Sequence, residues 1–299
     1  MQDFVSMADM DRSTMDRLLA LAAELKRKRG PGGELRGKTV ALIFHKPSLR
    51  TRVSFETGVF ELGGHPMYVT DAEIKMGQRE STHDIGKVMS RYVHGIMIRT
   101  FAHSNCVELA EASDVPVING LTDLLHPCQI MGDLLTCRER GKNLSSMVVA
   151  FVGDGNNVAN SWVEAAGVLG FELRIAGPSG YEPDAGVLAA ARKRGATIKV
   201  LRDPAEAVAA ADAVYTDVWT SMGQEAEKKE RDERFRPYQV NAALLSRAKR
   251  DAIVLHCLPA HRGEEITNEV IDGPQSAVFD EAENRLHAQK AIMVELMAR

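Results

Sequence analysis

The chain has 299 residues, 44% of them hydrophobic and 26% charged, with a formal net charge of -4 at pH 7. That length suits two domains of about 150 residues each rather than one small core. The charge balance offers no basic surface for nucleic acid or an anionic membrane, and no apolar run reaches the roughly 18 residues of a membrane span.

Short apolar runs alternate with amphipathic stretches, the pattern of an α/β fold with parallel strands. In the first half the expected strands are Thr39–Phe44, Pro66–Val69, Gly95–Arg99 and Val115–Ile118. Helical stretches are expected at Arg52–Leu62, Thr82–Val93 and Cys106–Ala112, followed by a longer one at Gln129–Arg140. The second half repeats the grammar, with strands at Met147–Val152, Glu172–Ala176, Thr197–Leu201, Ala213–Val218 and Ala252–Leu255. Its helices fit Val158–Leu169, Ala185–Arg194 and Ala205–Ala210, and a last helix runs from about Glu283 to the end. The charged run Gln224–Arg236 reads as a solvated helix or mobile loop, because it offers little to bury. A hinge is expected near Cys128–Arg140, which gives domains of residues 1–133 and 134–282.

Met1–Ser13 carries acids where a secretory leader would place a basic and then an apolar stretch, so a cytoplasmic location is expected. Cys106, Cys128, Cys137 and Cys257 form no C-x-x-C pair and read as free thiols in a reducing compartment.

Five segments could carry chemistry. His45–Arg52 follows a strand and opens a helix. Unpaired N–H groups at a helix start suit a phosphate, Ser48 and Thr51 add hydroxyls, and Arg50 adds a guanidinium fork. A plain Ser48 N-cap with solvated arginines explains the same residues equally well. Val152–Val158 resembles a dinucleotide turn, but Val158 stands where a third glycine is wanted and Ala176-Gly177-Pro178 offers no acid for a ribose. The alternatives there are a tight βα turn or Asn157 at a ligand-binding sheet edge.

His126 and Gln129 can both donate to one carbonyl oxygen if a helix starts between them, although a capping or core histidine is commoner. Asp217–Gly223 ends an apolar strand: Asp217 can hold an ammonium, while an Asx or Ser turn beside a packed Trp219 is the plainer reading. In His256–Gly263 a zinc site lacks a further Cys/His cluster to complete four ligands, a Cys–His nucleophile pair is the other reactive option, and simple core packing is less convincing.

In this order the five segments resemble the aspartate/ornithine carbamoyltransferase family, from the Ser48 motif to Glu283-Asn284-Arg285. The resemblance implies two α/β domains, each a parallel sheet flanked by helices, with the C-terminal helix (about 283–299) returning to the first domain. It implies carbamoyl phosphate bound in the first domain, the amine in the second, a homotrimeric catalytic unit, and neither metal nor cofactor. Ser48, Leu49, Arg50 and Thr51 would cradle the phosphate, and Arg99 would reach phosphate and carbonyl oxygen. His126, Pro127, Cys128 and Gln129 would hold the carbamoyl group, with Cys257, the Leu258 carbonyl and Arg285 completing the pocket. Asn157, Asp217, Ser221 and Met222 would hold the amino-acid end of ornithine, and Lys75 would match a residue lent by a neighbouring subunit.

Two positions depart from the family pattern: Leu49 stands where many relatives have threonine, and the Lys75 position varies. The Asp217–Gly223 and His256–Pro259 segments resemble the ornithine-using branch, since the aspartate-using branch needs basic groups for a second carboxylate. Putrescine is the harder rival amine, and a non-catalytic carbamoyl phosphate-binding relative is the rival class. Biosynthesis of arginine is the expected role.

Overall fold

The computed structural model describes residues 1–77, 79–221 and 223–298. The chain divides into two compact units, residues 1–135 with 283–299, and residues 136–282.

The first unit opens with α1 (Arg12–Arg27), capped by Asp11, whose carboxylate accepts the Thr14 N–H at 2.8 Å. Met15, Leu18, Leu19 and Ala22 form a buried stripe at helical spacing, an element absent from the sequence expectations. There follow β1 (Thr39–Phe44), α2 (Leu49–Glu61), β2 (His65–Thr70), the short α3 (Asp71–Ile74) and α4 (Thr82–Met89). Next come β3 (Gly95–Arg99), α5 (His103–Ala112), β4 (Val117–Leu121) and α6 (Pro127–Glu139), whose last residues enter the second unit.

The four strands are parallel in the order β2-β1-β3-β4. Strand order reverses beside β1, so the carboxyl ends of β1 and β3 flank the crevice where such sheets bind ligands. Phe44 pairs with Arg99, which brings the turn after β1 level with Arg99. The core between sheet and helices is Ala41, Ile43, Ile85, Ile96, Ile98, Leu109 and Val117 with their neighbours.

The expected strand Val115–Ile118 is displaced to Val117–Leu121. Pro116 has no N–H for a ladder, and the strand runs on through Asn119, whose side-chain amide donates to the Val5 carbonyl at 2.9 Å. The helix expected from Arg52 starts at Leu49, and the one expected from Gln129 starts at Pro127, which suits the first turn because its missing N–H is not needed there.

The second unit contains β5 (Val148–Val152), α7 (Asn157–Leu169), β6 (Glu172–Ala176), α8 (Ala185–Lys193), β7 (Ile198–Leu201) and α9 (Pro204–Val208). It continues with β8 (Ala213–Thr216), α10 (Lys228–Phe235), α11 (Ala242–Leu245), β9 (Ile253–Leu255) and α12 (Asn268–Ile271). Its parallel order is β7-β6-β5-β8-β9, reversing between β5 and β8. Val152 pairs with Thr216, and Tyr215 with Leu255, so the segments after β5, β8 and β9 emerge side by side.

The last helix, α13 (Val278–Met297), begins earlier than the expected Glu283, inside the second unit, and runs on into the first. There Lys290 meets Glu61 of α2 at 2.8 Å and Lys26 of α1 meets Asn284 at 2.7 Å. Among the described residues no helix is long and apolar enough to cross a membrane.

Candidate active site

At the carboxyl end of β1 the chain turns through Ser48, the N-cap of α2, in extended conformation. Its hydroxyl accepts the Thr51 N–H at 3.3 Å and donates to Thr51 Oγ1 at 3.1 Å. The N-cap reading of this segment is therefore realised, and the phosphate reading is compatible with it, because N–H groups at the head of α2 carry partial positive charge.

Thr51 Oγ1, fully buried, also accepts from Arg99 Nη1 at 3.4 Å and from Arg285 Nη2 at 2.9 Å. Arg285 reaches this point because α6 and α13 touch at Gly132, where an added Cβ would lie 3.0–3.2 Å from Arg285. Two guanidiniums on one neutral hydroxyl form a cationic pair suited to a multiply charged anion.

His126 is buried, and burial lowers its pKa well below the usual histidine range, with Arg285 and Arg99 lowering it further. It is therefore neutral at working pH and presents a hydrogen bond rather than a charge. Gln129, also buried, donates to Asp133 Oδ1 at 2.8 Å. Pro127 is the first residue of α6, and Cys128 gives its thiol hydrogen to the Asn119 carbonyl at 3.3 Å. Burial pushes the Cys128 thiol up to about 12, so it packs and does not act as a nucleophile. Arg50 is half-buried, Leu49 is 74% exposed, and Lys75 is exposed with a left-handed backbone (φ 45°) at the end of α3.

In the second unit the turn after β5 leads to Asn156, the N-cap of α7, with Asn157 as first helical residue. Asn156 Oδ1 accepts the Val158 N–H at 2.9 Å and the Ala159 N–H at 3.2 Å, while its amide donates to Asp217 Oδ2 at 2.7 Å. The turn passes so near Glu182 and Pro183 that a Cβ on Gly155 would meet their backbone at 2.2 Å. This requirement, rather than a dinucleotide, accounts for the glycine.

Asp217 is buried just after β8, and its Oδ1 accepts the Cys257 thiol hydrogen at 2.9 Å and the Val218 N–H at 2.8 Å. A carboxylate held by neutral donors is suited to pair with an ammonium ligand. Ser221 is half-buried and its N–H donates to Gln224 Oε1 at 3.1 Å. Met222 lies outside the described residues.

Sequence reasoning misses one feature here. It is Arg231, which lies in the run expected to be solvated but is only 3% exposed. Its Nε donates to the Trp219 carbonyl at 2.6 Å, its Nη2 pairs with Asp154, and its guanidinium lies 4.7 Å from the centre of the Tyr181 ring. It thereby ties the Asp217–Ser221 segment to the turn after β5. Burial pushes the Asp154 carboxyl up, to about 6, against the pull of Arg231, and Asp217 pushes in the same direction as burial. Arg231→Gln is expected to lower stability by about 3 kcal/mol, since it strands a buried carboxylate, whereas exposed Arg234→Gln costs under about 1 kcal/mol. Denaturant unfolding compares the two, and equal losses would show that the Arg231–Asp154 pair holds nothing.

In the His256–Gly263 segment, where the sequence leaves a zinc reading short of ligands, the structure brings Asp217 alongside. Asp217, His256 and Cys257 each offer a metal-capable atom within 4.8 Å of one another. The His256 nitrogens, however, are engaged by the Leu258 N–H at 2.9 Å and by Glu265 Oε1 at 2.9 Å.

One unit thus gathers guanidiniums at a helix head, and the other sets a buried carboxylate beside a thiol at its sheet edge. These are the marks of a two-substrate α/β enzyme, the first unit suited to an anion and the second to an amine. Residues 2–139 match the family model for the aspartate/ornithine carbamoyltransferase carbamoyl-P binding domain, and residues 145–296 that for the Asp/Orn binding domain. Ornithine carbamoyltransferase of Syntrophotalea carbinolica is 51% identical over 300 residues, covering 99% of both chains. That of Geobacter sulfurreducens is 54% identical over 298 residues, covering 98% of each. The solved ornithine carbamoyltransferase of Pyrococcus furiosus superposes with a TM-score of 0.95 at 46% identity, covering 99% of this chain and 97% of its own. The chain belongs to the aspartate/ornithine carbamoyltransferase family.

Proposed function

We propose that this protein is an ornithine carbamoyltransferase, transferring the carbamoyl group of carbamoyl phosphate to the side-chain amine of L-ornithine to give L-citrulline and phosphate. The observation that carries this reading is the convergence of Arg99 and Arg285 on Thr51 at the head of α2, beside neutral His126. Ser48, the Leu49 N–H, Arg50 and Thr51 bind the phosphate, with Lys75 assigned to a neighbouring subunit's site. Phosphate is a good leaving group, so the chemistry asks for placement and charge rather than a covalent nucleophile.

The amine must attack as the free base, although an alkyl ammonium has a reference pKa of about 10.4. Asp217 pairs with the α-ammonium, while Asn157, Ser221 and the Met222 backbone hold the rest of the amino-acid end. As the amine nitrogen bonds to the carbamoyl carbon, the carbonyl oxygen gains charge. Arg99, Thr51, His126 and Gln129 stabilise it as hydrogen-bond donors. Collapse breaks the bond to phosphate, which leaves with the electron pair and takes the amine proton.

The same reading places the enzyme in the cytoplasm, in arginine biosynthesis, as a homotrimer or a multiple of trimers.

The test is ureido-product formation from carbamoyl phosphate with ornithine, putrescine, N-acetylornithine and aspartate in parallel. Strong activity with ornithine alone is expected. Preference for putrescine would overturn the assignment of Asp217 to an α-ammonium.

A further inference from the structure

The loop after β9 contains a buried histidine with no place in the reaction just described. His256 and Glu265 are 1% and 0% exposed. A backbone N–H can only donate, so the Leu258 N–H, 2.9 Å from His256 Nδ1, makes Nδ1 an acceptor. The proton of the neutral ring then sits on Nε2 and is donated to Glu265 Oε1 at 2.9 Å. The same carboxylate oxygen accepts the His261 N–H at 2.6 Å, so Glu265 fixes both ends of the turn. On the strand side, the His256 N–H donates to Glu281 Oε2 at 2.8 Å, and Tyr215 donates to the other oxygen of Glu281 at 3.2 Å.

Between these supports stand Cys257 and Leu258. Leu258 has φ 56°, a left-handed conformation that a leucine adopts only when its surroundings hold it there. The bond from its N–H to Nδ1 supplies that hold. Cys257, fixed on both sides, keeps its thiol 2.9 Å from Asp217.

We propose that His256, set in one tautomer by Glu265, is a positioning residue that holds the Cys257–Leu258 turn so that the Cys257 thiol stays on Asp217. It touches neither substrate and acts through the backbone of Leu258. The kinetic consequence rests on the reading of Asp217 as the ornithine site, but the geometric consequence does not.

Two near-isosteric variants separate this role from simple core filling. His256→Asn puts an amide oxygen where Nδ1 stands and keeps the acceptor for Leu258. His256→Gln reaches Glu265 in place of Nε2 but gives Leu258 no acceptor. Cys106, Cys128 and Cys137 are buried, so iodoacetamide reports on Cys257, with Cys257→Ser as the blank. Labelling is expected to be about tenfold faster in His256→Gln and within about threefold of the unmodified protein in His256→Asn. Ornithine kcat/KM is expected to fall about tenfold in the glutamine variant only, roughly the loss of one hydrogen bond. The reverse order, or equal effects in the two variants with loss of folding included, overturns the proposal. An unmodified protein that makes no citrulline overturns the functional reading and leaves the labelling comparison to decide this one.

Discussion

Arg99→Ala is expected to lower kcat by about 10²–10³ at saturating substrates while the protein stays folded. Removing one preorganised donor from a developing oxyanion has an effect of that size in other acyl-transfer sites. The side chain leaves from the carboxyl end of β3, where it is half-buried, and its bond to Thr51 Oγ1 is a long one of 3.4 Å that adds little stability. Thr51 also keeps Arg285 at 2.9 Å and Ser48 at 3.1 Å, so the head of α2 remains assembled without Arg99. The predicted signature is therefore a large fall in turnover with unchanged circular dichroism and an unfolding midpoint within a few degrees. Near-normal turnover would remove Arg99 from the mechanism and leave Arg285 as the cation at the reacting oxygen.

Arg99 was visible in the sequence as the end of an apolar run, whereas Arg285 entered only through family resemblance. The difference is physical. A strand and the turn after it are coded by adjacent residues, so Ser48, Arg99 and Asp217 could be placed at sheet edges from alternation and turn chemistry. Arg285 lies 234 residues from Thr51, and its place depends on Gly132 letting two helices meet. Arg231 was misread for a related reason. Charge density predicts solvent, but a guanidinium with a carboxylate, a carbonyl and an aromatic ring for partners can be buried, and those partners come from distant segments.

Asn156 shows the limit within a motif. Asn157 was the residue singled out, yet the neighbour before it is the one that caps α7 and bonds Asp217. An N-cap preference alone could have suggested that asparagine, although the bond to Asp217 needs the register of β5 against β8. The last helix begins before the expected Glu283: its first turn carries Asp280 and Glu281, and Glu281 is buried there.

Asp217→Asn is expected to reduce kcat/KM for ornithine by roughly 10²–10³ and to leave carbamoyl phosphate binding within about twofold. An ammonium brought against a buried neutral amide instead of a carboxylate loses about 3–4 kcal/mol, and each 1.4 kcal/mol is a factor of ten. The substitution conserves shape, and one face of the site tolerates it: the amide oxygen can still accept the Cys257 thiol hydrogen now found at 2.9 Å. The other face does not. Asn156 presents its amide donors to Asp217 Oδ2 at 2.7 Å, and an amide nitrogen there would set donor against donor. Asn156 cannot flip to relieve this without surrendering the Val158 and Ala159 N–H groups that its oxygen caps. Part of the loss should therefore be recoverable by changing Asn156 to Asp in the same protein. That change restores an acceptor to face the new amide and returns one negative charge to the cluster. Titrating both variants with ornithine, by calorimetry in the presence of carbamoyl phosphate analogues, separates the charge from its position. Recovery of affinity in the double variant would show that the site needs one carboxylate at this point. No recovery would show that it needs the carboxylate at Asp217 itself, held against Cys257.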